Sequence, residues 1–192
     1  HFRAALSMRK KLLGASDPKV AFSLSWLGTT LAAQRNYAEA EAVYRELVSV
    51  RRSTPVDDIQ LAAALAGLMS TLLEAQKFTE AEPFARECLM IREKKMPDHW
   101  LTFNSRTMLG ESLLGQKRFN EAEPLLLAGY AGMKDREKTI STRSKVNLRN
   151  NIQRLIQLYE QTGRPAQAAE WTEHLVAFAK ARAAKESVSP EP

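Results

Sequence analysis

The sequence predicts an all-α fold in which repeated helix pairs stack into a solenoid. Three segments align without gaps, residues 36–41, 77–82 and 118–123, which read Asn-Tyr-Ala-Glu-Ala-Glu, Lys-Phe-Thr-Glu-Ala-Glu and Arg-Phe-Asn-Glu-Ala-Glu. Their aromatic residues are 41 residues apart. Apolar residues before each segment recur at i, i+3 and i+7, a spacing that places them on one helical stripe. No segment shows the alternation that is typical of a strand.

The apolar stripe that precedes each marker predicts the first helix of each pair. Its members are Leu24, Leu27 and Leu31, then Leu65, Leu68 and Leu72, then Arg106, Leu109 and Leu113, and finally Ile152, Leu155 and Tyr159. A second stripe after each marker, from Ala40, Ala81, Ala122 and Ala168 onward, predicts the second helix. Thr79 with Glu82 fits a capping box at the start of a second helix.

One helix pair would expose an apolar face if it stood alone, so the pairs must stack and share a core. We place the repeats at about residues 18–53, 57–96, 98–138 and 144–181, within a repeat domain that covers 1–181. The fourth copy of the marker is weaker and follows a loop that is longer by about five residues. Residues 182–192 are predicted to be a frayed helix and then a linker tail.

Residues 1–13 resemble a second helix without its first helix. Phe2, Ala5 and Met8 occupy the repeat positions of Tyr44, Leu47 and Val50. We interpret this segment as an orphan helix. Two interpretations stay open: the chain begins inside a longer array, or the helix pairs with another copy of the chain.

Composition agrees with an ordinary globular domain. The chain has 192 residues, of which 44% are hydrophobic and 26% are charged. These values exclude a disordered chain, which combines low hydrophobicity with high net charge. The single Cys excludes an intrachain disulfide and is compatible with a cytoplasmic location. No apolar run reaches the length that a membrane-spanning helix needs, so we expect no membrane insertion.

These residues resemble the tetratricopeptide repeat. The family carries a small residue within its first helix, as at Gly28 and Gly110, an aromatic residue at the start of its second helix, and an Ala three residues later. The 41-residue period resembles the longer form found in kinesin light chains. The resemblance implies a right-handed α-α superhelix of about four helix pairs and a non-catalytic scaffold that binds proteins.

Residues 78–171 are also similar to the repeat region that follows the catalytic domain of many bacterial serine/threonine kinases. The segments that carry this resemblance include 80–83, 91–95, 98–100, 113–117 and 158–163. No kinase motif is present in the sequence. The resemblance therefore implies a regulatory or docking region of such a kinase.

The sequence contains no pattern of enzyme chemistry, and we predict no catalytic residue, metal site or cofactor. None of the three histidines, His1, His99 and His174, lies at zinc-ligand spacing from another His or from Cys88. Cys88 lies on a predicted buried stripe, which favours a core thiol over a nucleophile. Asp98 is placed to cap the helix that follows. Trp100 and Phe103 are expected to pack against the preceding second helix, with an exposed aromatic anchor as the alternative.

Several cations fall at related repeat positions and define a predicted basic ridge: Arg9, Arg51, Arg52, Arg92 and Lys134. The functional interpretation is a track for an acidic peptide or another polyanion. The structural interpretation is that cations at helix C-termini interact with the helix dipole. No interleaved aromatic residues accompany the ridge, which argues against nucleic acid as a partner.

The resemblance also implies a concave groove lined by first-helix side chains. By register the groove residues are Phe22, Ser25, Thr29, Ser70, Glu74, Asn104, Thr107, Glu111, Asn150, Gln153 and Gln157. Amide side chains of this kind can pair with the backbone of an extended peptide. The Lys and Asn residues with which chaperone-binding members hold a carboxylate are absent. We expect the groove to bind a peptide or protein segment, with polyanion binding and self-association as alternatives.

Overall fold

The computed structural model describes residues 2–14, 16–53 and 58–188, and the side chains of residues 6–14, 16–53 and 58–183. The described residues form nine α-helices and no strand. The chain divides into two compact units, residues 1–98 and 99–192. His1 and residues 189–192 lie outside the described residues, as do the side chains of Phe2 and Ala5.

The first unit contains five helices: α1 (Phe2–Leu13), α2 (Pro18–Ala33), α3 (Tyr37–Ser53), α4 (Asp58–Glu74) and α5 (Phe78–Lys95). Helices α2 and α3 form one pair, α4 and α5 form the next, and α3 also packs against α4. The core contains the predicted first-helix leucines and the fully buried Met69, together with second-helix side chains such as Tyr44 and Leu47. Each pair therefore covers part of the apolar surface of its neighbour.

Tyr44 is the side chain that brings α2 and α4 together on α3. Its ring is so close to Gly28 of α2 and Gly67 of α4 that an added Cβ would lie 2.9 Å and 2.3 Å from ring carbons, respectively. The Tyr44 hydroxyl is 3.1 Å from Thr29 Oγ1. Small residues at 28 and 67 are thus a packing requirement, because the ring occupies the space of a side chain.

The second unit contains four helices: α6 (Trp100–Gly115), α7 (Phe119–Asp135), α8 (Val146–Gln161) and α9 (Pro165–Val188). The longer α7–α8 connection contains two short 3₁₀ turns. Ile140 of this connection is buried with Met133 and Leu148. Glu137 accepts hydrogen bonds from Lys134 at 2.7 Å and Lys145 at 3.2 Å. These contacts anchor the longer connection to the helices that it joins.

The predicted first-helix stripes are buried with one exception. Leu109, Leu113, Ile152, Leu155 and Tyr159 are all at most 3% exposed. Arg106 is only half-buried, and its guanidinium lies 5.3 Å from the centroid of the Phe103 ring. This cation–π contact stabilises the Arg106 guanidinium in a half-buried position.

Two helix starts differ from the sequence-based prediction. Helix α5 begins at Phe78, with Lys77 as its N-cap and no side-chain cap, so the capping box predicted at Thr79 does not form. Helix α6 is capped by His99, whose Nδ1 accepts a hydrogen bond from the Leu101 amide at 3.2 Å. The predicted cap was the preceding residue, Asp98. The N-cap of α5 lies two residues before the predicted one, and the N-cap of α6 lies one residue after the predicted one.

The two helices of each pair are joined by the same tight turn in all four copies. In the first, Arg35 N–H donates to Ala32 O and Asn36 N–H donates to Leu31 O. This is the hydrogen-bond pattern of a Schellman motif, which requires one residue in the left-handed region. That residue has φ of 59° at Arg35, Gln76 and Lys117 and 68° at Gly163. Only the fourth turn has the residue type that adopts this conformation without strain.

Replacing Lys117 with Gly is expected to raise the free energy of unfolding by about 0.5–1 kcal/mol. A non-glycine residue in the left-handed region costs about 1–2 kcal/mol, which exceeds the entropy that glycine adds to the unfolded chain. The matched change Gly163→Ala should lower stability by a similar amount. Urea unfolding measures both, and a loss of stability in Lys117→Gly would contradict this account of the turn.

Candidate protein-binding surface

The predicted groove residues of the first unit lie mainly on the solvent-exposed faces of α2 and α4. Phe22 is 58% exposed, and Thr29, Ser70 and Glu74 are also exposed, while Ser25 is half-buried. Trp26, which the sequence analysis did not assign to the groove, is 51% exposed, and its ring centroid is 6.0 Å from that of Phe22. The α2 surface thus presents an edge-to-face pair of aromatic rings to solvent.

A cavity of about 320 Å³ lies at the C-terminal ends of α2 and α4. Its walls are formed by Ala32, Ala33, Arg35, Tyr37, Ser70, Thr71 and Glu74. The Tyr37 hydroxyl donates to Glu74 Oε2 at 3.4 Å. Two predicted groove residues, Ser70 and Glu74, therefore belong to this cavity. It combines small apolar walls with one carboxylate and one guanidinium.

The groove residues predicted in the second unit are less accessible. Gln153 and Gln157 of α8 are exposed, whereas Asn104, Glu111 and Asn150 are half-buried. Glu111 is engaged by Arg154 Nη2 at 2.5 Å. The assignment of Thr107 to the groove was wrong, because Thr107 is 1% exposed and its hydroxyl donates to Phe103 O at 3.3 Å. Of the six residues, the two glutamines form the most accessible part.

Asn151 is a buried residue that hydrogen-bonds to Thr107 and that was not predicted from the sequence. Its side chain is fully buried, and Nδ2 donates to Thr107 Oγ1 at 2.9 Å and to Leu126 O at 3.1 Å. One amide thus bridges α6, α7 and α8. The Asn151 side chain is larger than those of Ser105, Ala64 and Ser23, which occupy the same position in the earlier repeats. This difference in size is the signal in the sequence that could have identified Asn151.

In the first unit, three cations of the predicted basic ridge have hydrogen-bond partners, and one of these partners, Glu87, is a carboxylate. Arg9 donates to Ser23 Oγ, Arg51 donates to Gln60 Oε1 at 3.2 Å, and Arg52 pairs with Glu87 at 2.5 Å. The assignment of Arg92 to an exposed ridge was wrong, because Arg92 is 5% exposed and burial lowers its pKa. In the second unit, Lys134 pairs with Glu137.

Ion pairs at the repeat marker link a carboxylate of one second helix to a cation just before the next, since Lys77 precedes α5 and Arg164 precedes α9. In the first unit, Glu41 accepts from Arg45 at 2.8 Å and Lys77 at 2.9 Å. Burial alone would raise the pKa of Glu41, but these two cations outweigh it and lower the pKa. In the second unit, Arg164 forms two hydrogen bonds with Glu123, which lower the pKa of that carboxyl.

The described residues contain no group of three or more His, Cys, Asp or Glu side chains that could hold a metal ion. Cys88 is buried, and its thiol donates to Ala62 O at 3.3 Å. Trp100 and Phe103 are half-buried against the cluster of Met133, Ile140 and Leu148. Among the helices that the structure describes, none is long and apolar enough to cross a membrane.

The comparisons with known proteins agree with this geometry. Residues 23–54, which span α2 and α3, match the family profile described as tetratricopeptide repeat. A putative kinesin light chain from Podosopora anserina, with nearly identical TPR-like repeats, superposes with a TM-score of 0.74 at 19% identity, over 98% of this chain and 86% of that one. No curated protein matches the chain.

Two further solved structures share the fold. MamA from Desulfovibrio magneticus RS-1 has a TM-score of 0.61 at 13% identity, over 94% of each chain. BtubC (BKLC) from P. vanneervenii has a TM-score of 0.56 at 13% identity, over 100% of this chain and 90% of that one. The predicted all-α fold of paired helices is confirmed, and residues 23–54 match the tetratricopeptide repeat. Such repeats are generally non-catalytic scaffolds for protein interactions.

Replacing Asn151 with Ala is expected to lower the free energy of unfolding by about 1–3 kcal/mol. The change removes two buried hydrogen bonds and leaves Thr107 and Leu126 without this partner. Gln153→Ala on the same helix is the matched control and should change stability by at most about 0.5 kcal/mol, since its side chain is exposed. Chemical unfolding of both variants tests this, and equal effects would show that the amide bridge contributes nothing.

Proposed function

We propose that this chain is a protein-interaction scaffold that binds a peptide or protein segment on the surface formed by α2 and α4. The observation that carries the proposal is the exposed pair of Phe22 and Trp26. Monomeric proteins seldom leave two neighbouring aromatic side chains open to water, and aromatic residues are enriched among those that dominate binding energy.

The cavity beside Glu74 and Tyr37 gives the same surface a polar end. Along α2, residues 22 and 33 are separated by about 16 Å at the helical rise of about 1.5 Å per residue. An extended segment of about five residues covers that distance at about 3.3 Å per residue. A bound segment can therefore place an apolar side chain against the aromatic pair and a polar side chain in the cavity.

The exposed amides of Gln153 and Gln157 support a contribution from the second unit. Each side chain offers both a donor and an acceptor to the backbone of a bound segment, which gives affinity without a strict sequence requirement. We treat this contribution as separate from the α2–α4 surface, because either surface can bind a peptide by itself.

Three narrower predictions from the sequence remain proposals. They are a docking region of a bacterial serine/threonine kinase, self-association through α1, and a cytoplasmic location. Polyanion binding through the basic ridge has less support, because Arg92 is buried and Arg52 and Lys134 are paired with carboxylates. The α2–α4 surface is the proposal that the exposed side chains favour.

The test begins by selecting 12-residue peptides from a random display library on the wild-type chain. Calorimetry then measures the selected peptides against Phe22→Ala, Trp26→Ala and the control Met90→Ala, which removes a 64% exposed side chain from α5. We expect either aromatic change to weaken binding by about tenfold or more, as at other aromatic anchors. The control should bind like the wild type. The proposal would be refuted if the selected peptides bound Phe22→Ala and Trp26→Ala with the same affinity as the wild type.

A further inference from the structure

The cavity at the C-terminal ends of α2 and α4 is lined by two opposite charges. Arg35 and Glu74 both belong to its wall, and both side chains are exposed. The Tyr37 hydroxyl donates to Glu74 Oε2 at 3.4 Å. Among the residues that the structure describes, neither Arg35 nor Glu74 forms an ion pair. A bound group can therefore reach a carboxylate and a guanidinium in one cavity.

The cation that follows Glu74 most closely in the chain is held by other carboxylates. Lys77 Nζ lies 2.9 Å from Glu41 Oε2 of α3 and 3.6 Å from Glu80 Oε1 of α5. Its ammonium group thus interacts with the neighbouring second helices, and Glu74 keeps its capacity to accept hydrogen bonds from a ligand.

The internal repeat shows that the fold does not need these polar groups. In the next copy, Gln76, Phe78 and Gly115 occupy the positions of Arg35, Tyr37 and Glu74. The turn is the same, with φ of 59° at both Arg35 and Gln76, and Phe78 begins α5 as Tyr37 begins α3. The turn and the helix start therefore form without a guanidinium, a phenol or a carboxylate, which leaves the three groups of the first copy for binding.

The two charges together favour an uncharged ligand group that both donates and accepts hydrogen bonds. A carboxylate only accepts and a guanidinium only donates. A basic side chain would pair with Glu74 but be repelled by Arg35, and an acidic side chain would meet the reverse. A primary amide offers NH₂ donors and a carbonyl acceptor without charge. The volume of about 320 Å³ is at the lower end for ligand sites, which suits one side chain.

We propose that the cavity binds the side chain of a glutamine in the bound segment, whose NH₂ group donates to Glu74 and whose carbonyl accepts from Arg35. The inference rests on the proposed function, because the segment lies on the α2–α4 surface. At about 1.5 Å per residue, Ala33 at the cavity wall is about 10 Å along α2 from Trp26 and about 16 Å from Phe22. The glutamine is then about three to five residues from the apolar residue at the aromatic pair.

The probes are four amino acids, glutamine, glutamate, lysine and alanine, each blocked as the N-acetyl N-methylamide. They share one backbone, so differences in affinity report on the side chain alone, and the alanine derivative measures binding of the backbone. Titration of the whole ¹⁵N-labelled chain, followed by NMR chemical shifts, gives each affinity. The amides of residues 33–37 and 70–74 locate the binding in the cavity.

The protein variants carry residues that the chain itself uses at the same repeat positions. Arg35→Gln introduces the residue type of Gln76, and Glu74→Gln introduces that of Gln161 in the fourth copy. Arg149→Gln is the control, because it makes the same charge change at an exposed position of α8 in the second unit. Circular dichroism checks that each variant retains its helices.

The glutamine derivative is expected to bind the wild type and the Arg149→Gln control about threefold or more tightly than the other three derivatives, as for loss of one hydrogen bond. Glu74→Gln should instead prefer the glutamate derivative, and Arg35→Gln the lysine derivative, because each variant leaves a single charge in the cavity. This exchange of preference is a result that structural damage would not produce.

The inference would be overturned by equal affinity for all four derivatives, by a wild-type preference for lysine or glutamate, by shifts outside the cavity, or by no saturable binding. Its failure is distinguishable from that of the proposed function. If the derivatives show no preference while Phe22→Ala and Trp26→Ala weaken peptide binding, only the inference on glutamine fails. If the derivatives behave as expected but the aromatic changes have no effect, the cavity binds the amide and the proposed function fails.

Discussion

The stacking of the helix pairs depends on one packing constraint: a side chain of a second helix must fit between two consecutive first helices. On α3, Tyr44 occupies that space, and α2 and α4 approach it only because residues 28 and 67 are glycines. The Tyr44 ring therefore packs against the first helices of two consecutive helix pairs. Since a close-packed interior tolerates no overlap, the identity of the residue on one helix restricts the residues on its two neighbours. The proposed binding surface depends on this constraint, because the packing of α2 on Tyr44 orients the face of α2 that carries Phe22 and Trp26.

The second unit meets the same constraint with different side chains. Leu126 occupies the repeat position of Tyr44, and Gly110 of α6 leaves room for it, since an added Cβ would lie 2.9 Å from Leu126 Cγ. The Leu126 side chain has no polar atom, so it cannot form a hydrogen bond like the one between the Tyr44 and Thr29 hydroxyls. Asn151 of α8 supplies the polar link instead, through the Leu126 carbonyl. The repeat thus conserves a packing geometry, while the chemistry that secures it changes from copy to copy.

Periodicity predicted the helix pairs and nearly all of the buried stripes, because burial of an apolar face follows from helical spacing alone. The errors arose where burial depends on one neighbouring side chain. Thr107 shares a repeat position with Ser25 of α2, yet Asn151 covers it. Arg92 was assigned to the surface because it shares a position with Arg51, which is only half-buried. Trp26 was not assigned to the groove, because Gly67 occupies the same position in the next repeat. Register alone carries no information on side-chain size.

A double-mutant cycle on Gly67 and Tyr44 tests the central claim most directly. The account predicts that Gly67→Ala lowers the free energy of unfolding by about 1–3 kcal/mol in the wild type, as overpacking does in other cores. In the Tyr44→Ala background the same change should stabilise the protein by about 0.5–1 kcal/mol, because alanine is favoured over glycine inside a helix, which gives a coupling of about 1 kcal/mol or more. Equal costs in the two backgrounds would contradict the claim that Tyr44 joins consecutive helix pairs.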